Sequence, residues 1–165
     1  MTIQELYSLY LTHPNISTDT RVIAPNSIFF ALKGDNFDGN KFADNAIEKG
    51  ASFAIISDEE YQKDDRYILV DDTLKALQEL AKYHRNQLTI PIIGITGSNG
   101  KTTTKELMKS ALSEKFNTFA THGNLNNHIG VPLSLLSITK KHEIAIIEMG
   151  ANHQKEIEFL SNIFN

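Results

Sequence analysis

Apolar positions recur at spacings of three and four at the start of the chain. Ile3, Leu6, Tyr7 and Tyr10 fall on one face of a short helix that ends before Pro14. A turn-rich stretch comes next, THPNISTDTRVIAPNS. The compact run Ser27 to Leu32 (SIFFAL) then predicts a strand, with Phe29 and Phe30 as core side chains rather than a base-stacking platform. The glycine and Asn/Asp density of LKGDNFDGN predicts an ordered loop. Phe42, Ala43, Ala46 and Ile47 mark a helix stopped by Gly50. Phe53 to Ile56 and Tyr67 to Val70 predict strands separated by an acidic loop, and Leu74, Leu77, Leu80 and Ala81 form the stripe of a helix running to about Asn86.

Around Gln87 to Thr89 a second unit begins. Ile90 to Thr96 predicts a strand, and Leu107, Met108, Ala111 and Leu112 one face of a helix. Asn117 to Ala120 predicts a strand, GNLNNHIGVP a polar loop, and Val131 to Ile138 a short helix with Pro132 in its first turn. Glu143 to Met149 predicts a buried strand, and a helix starts over Gln154 to Leu160. The alternation implies an α/β fold: a small N-terminal α/β domain over 1–86, then a P-loop-type parallel-sheet domain over 87–165. Three strands are fewer than a nucleotide-binding domain of that kind usually has, so the second unit is expected to be incomplete.

Composition narrows the function. The net charge of −4 comes with no basic block, which argues against a nucleic-acid partner. Cysteine is absent, so disulfides and thiolate metal sites are excluded. The start MTIQELYSLYL lacks a basic segment before its apolar residues, and no apolar run approaches a membrane span. A cytoplasmic protein without membrane insertion is expected.

The chemistry concentrates in GITGSNGKTTTKE, Gly94 to Glu106. A strict P-loop places a glycine six residues before the lysine, where this chain has Ile95. A hairpin on Asn99-Gly100 is disfavoured because the residues after Gly100 have helical period. Strand, glycine-rich loop, Lys101, hydroxyls and helix are what a phosphate cradle needs. Glycines let N–H groups turn towards an anion, the helix N-terminus adds its positive end, and the ammonium neutralises phosphate charge. Thr102, directly after the lysine, is placed to ligate magnesium. Glu148 ends the run EIAIIE, where an acid beside a P-loop can hold that magnesium, although a polar residue where a strand surfaces is the plainer reading. Asn124, Asn126 and Asn127 suit either helix capping and turns or a polar ligand site.

Together TGSNGKTTTKE, THGNLNNHIGVPLSLL and EMGANHQKEI resemble the central domain of the Mur ligases, which use this shortened loop. The segment STDTRVIAPNSIFFALKGDNFDGNKFADNAIEKGA is similar to that family's N-terminal, UDP-sugar-holding domain. The resemblance implies that Gly97, Ser98, Asn99, Gly100, Lys101, Thr102 and Thr103 cradle ATP phosphates, that Thr102 and Glu148 hold Mg2+, and that Lys101 and Glu148 carry the catalysis. It places Asn124 and Asn127 near phosphates and acyl substrate, and Thr18, Asp19, Thr20, Arg21, Lys33, Gly34, Asp38 and Gly39 on the uridine-diphosphate side. His153 matches a family motif, with a surface histidine as the blander reading.

The implied reaction belongs to the dipeptide-adding branch of peptidoglycan synthesis. ATP activates UDP-N-acetylmuramoyl-tripeptide as an acyl phosphate, which D-alanyl-D-alanine then attacks. Alternatives are a sister ligase adding the third amino acid, a folylpolyglutamate-type ligase, or a non-catalytic nucleotide-binding module. The family's enzymes have three domains, so this piece alone is expected to lack ligase turnover; separately, a monomer is expected.

Overall fold

The computed structural model describes residues 1–151 and 155–164, and the backbone alone of residue 164. The chain divides into two compact units, Met1–Leu80 and Ala81–Asn165. Among the described residues no helix is long and apolar enough to cross a membrane.

The first unit opens with α1 (Ile3–Thr12), fixed by a capping box: the Thr2 hydroxyl accepts from the Glu5 N–H, and the Glu5 carboxylate accepts from the Thr2 N–H. Leu6 and Tyr10 are its buried residues, as the spacing predicts. Strands β1 (Asn15–Ser17), β2 (Ser27–Phe30), β5 (Ala51–Ile56) and β6 (Tyr67–Leu69) form a wholly parallel sheet in the order β1-β2-β5-β6. All four residues of β2 are buried, as a strand with neighbours on both edges and layers on both faces requires. Phe29, Ala54, Ile56 and Tyr67 of the sheet pack with Ala43 and Ala46 of α2 (Ala43–Glu48) into the core.

Two elements depart from expectation. The turn-rich stretch contains β1, too short for periodicity to reveal, and its order comes from pairing Ile16 with Ile28. The expected loop LKGDNFDGN contains the antiparallel hairpin β3 (Lys33–Gly34) and β4 (Phe37–Asp38).

Helix α3 (Thr73–Gln87) begins under Asp72, whose carboxylate accepts from the Leu74 and Lys75 N–H groups. Leu77, Leu80 and Ala81 are fully buried on it. His84, further along, is buried with Nε2 2.9 Å from the Ile138 carbonyl, so that nitrogen carries the proton. Burial holds its pKa below the usual histidine value, outweighing the carbonyl's opposite pull. The unfolded chain therefore binds a proton first as pH falls through about 6.5. Stability should be flat above that pH and drop below it. Urea midpoints between about pH 8 and pH 5 should show this drop, and His84→Gln should flatten it; an unchanged slope in the variant would assign the pH dependence elsewhere.

The second unit is a parallel sheet in the order β7-β9-β8, from β7 (Ile92–Ile95), β8 (Thr118–Ala120) and β9 (Ile144–Glu148). The α/β class with parallel sheets is as expected. Helices α4 (Lys101–Ser113), α5 (Gly130–Leu136) and α6 (Glu156–Phe164) complete it. The predicted apolar face of α4 is corrected: Leu107 is 68% exposed and Ala111 is also exposed, while Lys105 is the residue that the helix buries.

Candidate functional site

Strand β7 stops at Ile95, and Ile95 pairs in register with Glu148, the last residue of β9. The missing glycine of the strict P-loop is thus a strand residue, and the cradle starts only at Thr96. Two glycines give the loop its course: Gly97 has φ 147° and Gly100 φ 77°, conformations that a side chain disfavours. Gly100 is the left-handed N-cap of α4 and leaves the helix without a side-chain cap, so first-turn N–H groups face the loop as an anion site requires. Lys101 folds back over the loop, its ammonium donating to the Gly97 carbonyl at 2.6 Å.

At the strand ends, Glu148 is 1% exposed and fully engaged. The Thr102 hydroxyl donates to its two oxygens at 3.3 and 3.1 Å, and the Asn126 amide donates to Oε1 at 2.9 Å. The Glu148 N–H donates to the Thr121 hydroxyl at 3.0 Å. The predicted pair Thr102 and Glu148 is therefore brought together across two elements 46 residues apart in sequence. One carboxylate and one hydroxyl, both oxygen donors, suit a Mg2+ ion that keeps waters and takes its other oxygens from phosphates. Among the described residues no three His, Cys, Asp or Glu side chains converge, so a metal held wholly by protein has no ligand set there.

Of the three asparagines, Asn126 rather than Asn124 or Asn127 meets the carboxylate. Asn127 is a helix start: its Oδ1 accepts from the Ile129 and Gly130 N–H groups. Gly150 fits against Asn126, whose carbonyl accepts the Gly150 N–H at 2.7 Å and whose amide would lie about 3.1 Å from an added Cβ. Sequence reasoning named all three amides without singling out Asn126, because they look alike, and it passed over Lys105 because that residue lies on a helix read by its apolar residues. Lys101, the three asparagines and Gly150 line a cavity of about 560 Å3, with Phe159 and Leu160 among its other residues. His153 lies outside the described residues.

In the first unit, Thr18, Asp19, Thr20 and Arg21 line a separate cavity of about 530 Å3 with Phe29, Phe37 and Phe42. The Asp19 carboxylate accepts from the Arg21 guanidinium at 2.6 Å and from its backbone N–H, and these bonds hold its pKa down to about 2. The Arg21 side chain is 86% exposed, so the pair adds little stability and leaves its outer N–H groups accessible to an anion. Phe37 and Phe42 stack with centroids 5.4 Å apart. Lys33, Gly34 and Asp38 build the hairpin, with Lys33 3.9 Å from Asp38. Asp38 caps the following turn at Asn40, and a Cβ on Gly39 would lie 2.5 Å from the Leu32 carbonyl oxygen, so both have structural duties there.

Residues 13–85 match the family model described as Mur ligase family, catalytic domain, and residues 95–165 that described as Mur ligase middle domain. The UDP-N-acetylmuramoyl-tripeptide–D-alanyl-D-alanine ligase of Bacillus subtilis is 43% identical over 91% of this chain and 33% of its own length. The Escherichia coli protein of the same name is 44% identical over 93% and 34%. Among solved structures, the Acinetobacter baumannii UDP-N-acetylmuramoylalanyl-D-glutamyl-2,6-diaminopimelate–D-alanyl-D-alanyl ligase superposes with a TM-score of 0.85 at 38% identity, covering 99% of this chain and 39% of that one. The Thermotoga maritima MurF ligase in complex with ADP gives 0.81 at 35%, covering 93% and 36%. The chain thus spans about a third of the length of the curated relatives it matches. With a short-form phosphate loop, an acid on the neighbouring strand, and matches that run through both units, the chain belongs to the Mur ligase family.

Proposed function

We propose that this chain supplies the phosphate-holding and UDP-sugar-holding parts of a UDP-N-acetylmuramoyl-tripeptide:D-alanyl-D-alanine ligase, a cytoplasmic, ATP-dependent enzyme of peptidoglycan synthesis. The observation that carries the reading is the Thr102 hydroxyl set 3.1 Å from the buried Glu148 carboxylate beside the glycine loop. The dipeptide-adding branch, rather than a sister ligase, is supported by relatives of that name at 43–45% identity.

Amide formation from a carboxylate is uphill in water, so the γ-phosphoryl group of ATP passes first to the tripeptide carboxylate. The amine of D-alanyl-D-alanine then displaces phosphate. The loop N–H groups and the α4 N-terminus hold the phosphates, and Lys101 exchanges the Gly97 carbonyl for a phosphate oxygen. Thr102 and Glu148 would hold Mg2+, which supplies neutralisation of phosphoryl charge when bound. Asn126 keeps the Glu148 carboxylate turned to Thr102. The arrangement works by position and charge, and no protein nucleophile is needed.

Calorimetric titration tests the two cavities separately. Lys101→Ala should weaken Mg-ADP binding by about tenfold to a hundredfold, the worth of a charged hydrogen bond to phosphate, and leave binding of the UDP-sugar peptide unchanged. Arg21→Ala should do the reverse. If Lys101→Ala binds Mg-ADP as the parent does, the loop is not the nucleotide cradle.

A further inference from the structure

Helix α4 buries a lysine while leaving a leucine in water: Lys105 is 1% exposed and Leu107 68%. A buried ammonium is costly unless it is well partnered. Lys105 Nζ donates to the Thr121 carbonyl at 2.8 Å and lies 3.1 Å from Glu106 Oε1 and 3.7 Å from Glu148 Oε2. The hydroxyl of the same Thr121 accepts from the Glu148 N–H. Lys105 thus ties the phosphate-loop helix to the ends of β8 and β9.

The side-chain hydrogen-bond donors to the Glu148 carboxylate, Thr102 and Asn126, are neutral. Among the described residues, Lys105 is the positive charge paired with it. A buried carboxylate that lost this partner would be left uncompensated. At 3.7 Å the ammonium acts by charge rather than as a hydrogen-bond donor, so it takes up no carboxylate lone pair that a cation would need. Lys101 and Lys105 stand one helical turn apart on the same side of α4. The first reaches over the phosphate loop; the second is aimed at the acid.

We infer that Lys105 is a positioning residue, whose ammonium, anchored on the Thr121 carbonyl, holds the Glu148 carboxylate against Thr102 in the geometry that receives a divalent cation. The inference rests on the reading of Thr102 and Glu148 as the magnesium pair. Nothing is transferred to or from Lys105: it sets direction and compensates charge.

Two readouts test it. In a metal-free crystal structure of Lys105→Met, Glu148 should swing beyond hydrogen-bond distance of Thr102; an unmoved carboxylate would overturn the inference. In calorimetry, the gain in ADP affinity on adding Mg2+ should shrink by about 10–100-fold in Lys105→Met, as when an outer partner of a metal ligand is removed, while ADP binding without Mg2+ stays the same. Lys105→Arg, which keeps the charge, should restore most of the gain. A purely structural lysine would instead lower affinity with and without the metal alike. Where Lys105→Met fails to fold, Lys105→Gln, which keeps a donor for the Thr121 carbonyl, carries the same comparison. Thr102→Ala separates the two readings. If it loses the Mg2+-dependent gain and Lys105→Met does not, only the role of Lys105 falls. If neither variant changes the gain, the magnesium reading falls, and the position of Glu148 in the crystal structure decides on Lys105.

Discussion

On the proposed reading of Thr102 and Glu148 as the magnesium pair, Glu148→Gln should abolish the Mg2+-dependent gain in ADP affinity. The substitution is close to isosteric, so the effect isolates charge and lone pairs. Both Glu148 oxygens act as acceptors, from the Thr102 hydroxyl and the Asn126 amide. A glutamine offers one acceptor and one NH2 group. Whichever way it turns, its NH2 faces a donor that previously met an oxygen. Among the described residues, it also leaves the buried Lys105 ammonium with the exposed Glu106 carboxylate as its remaining counter-charge. A modest loss of stability should accompany the functional loss, because one buried charge is then poorly compensated. Full Mg2+ dependence in Glu148→Gln, read by calorimetry with and without the metal, would move the cation away from β9. Glu148→Asp distinguishes charge from reach: it keeps the carboxylate but draws it back by one methylene, and should lose most of the contact with Thr102.

The strands and helices that carry this site were legible because their signals are local. The run IAIIE reads as a buried strand from composition alone, and the glycines with Lys101 and Thr102 mark the turn into a helix. The pairing of Thr102 with Glu148 was legible for a further reason: a hydroxyl after the loop lysine and an acid closing a neighbouring strand have a shared chemistry. What stayed hidden depends on contacts that no short window contains. Strand β1 is three residues long and owes its existence to β2. The choice among the three asparagines is made by the turn of the loop, which spends Asn127 on capping α5 and leaves Asn126 for the acid. Lys105 was hidden by its type, since a lysine on an amphipathic helix is ordinarily assigned to the solvent face. Its burial stems from an acid on a strand some 40 residues later, which helical periodicity does not register.

Gly130→Ala should destabilise the second unit by about 3 kcal/mol, near the upper end for overpacking, because the added methyl would meet backbone rather than a movable side chain. An ideal Cβ at Gly130 lies 2.4 Å from both the Cα and the carbonyl carbon of Leu125, closer than real contacts allow. Relief requires separating α5 from the loop before it. That loop is tied to the helix by the Asn127 side chain, by the Val131 N–H to Asn127 carbonyl bond, and by the Ser134 hydroxyl to the Leu125 carbonyl. Asn126 lies between Leu125 and Asn127, so any movement of the loop also moves the amide that holds Glu148. The substitution should therefore lower both the urea midpoint and the Mg2+-dependent gain in ADP affinity, acting through Asn126 on the proposed magnesium pair, Thr102 and Glu148. Gly34→Ala is the matched control, since a Cβ there meets nothing within 4 Å; its effect on stability should stay within about 0.5 kcal/mol. Equal urea midpoints for the two variants would mean that the loop yields without cost, and that the Asn126 amide is held by something other than the packing of Gly130 on Leu125.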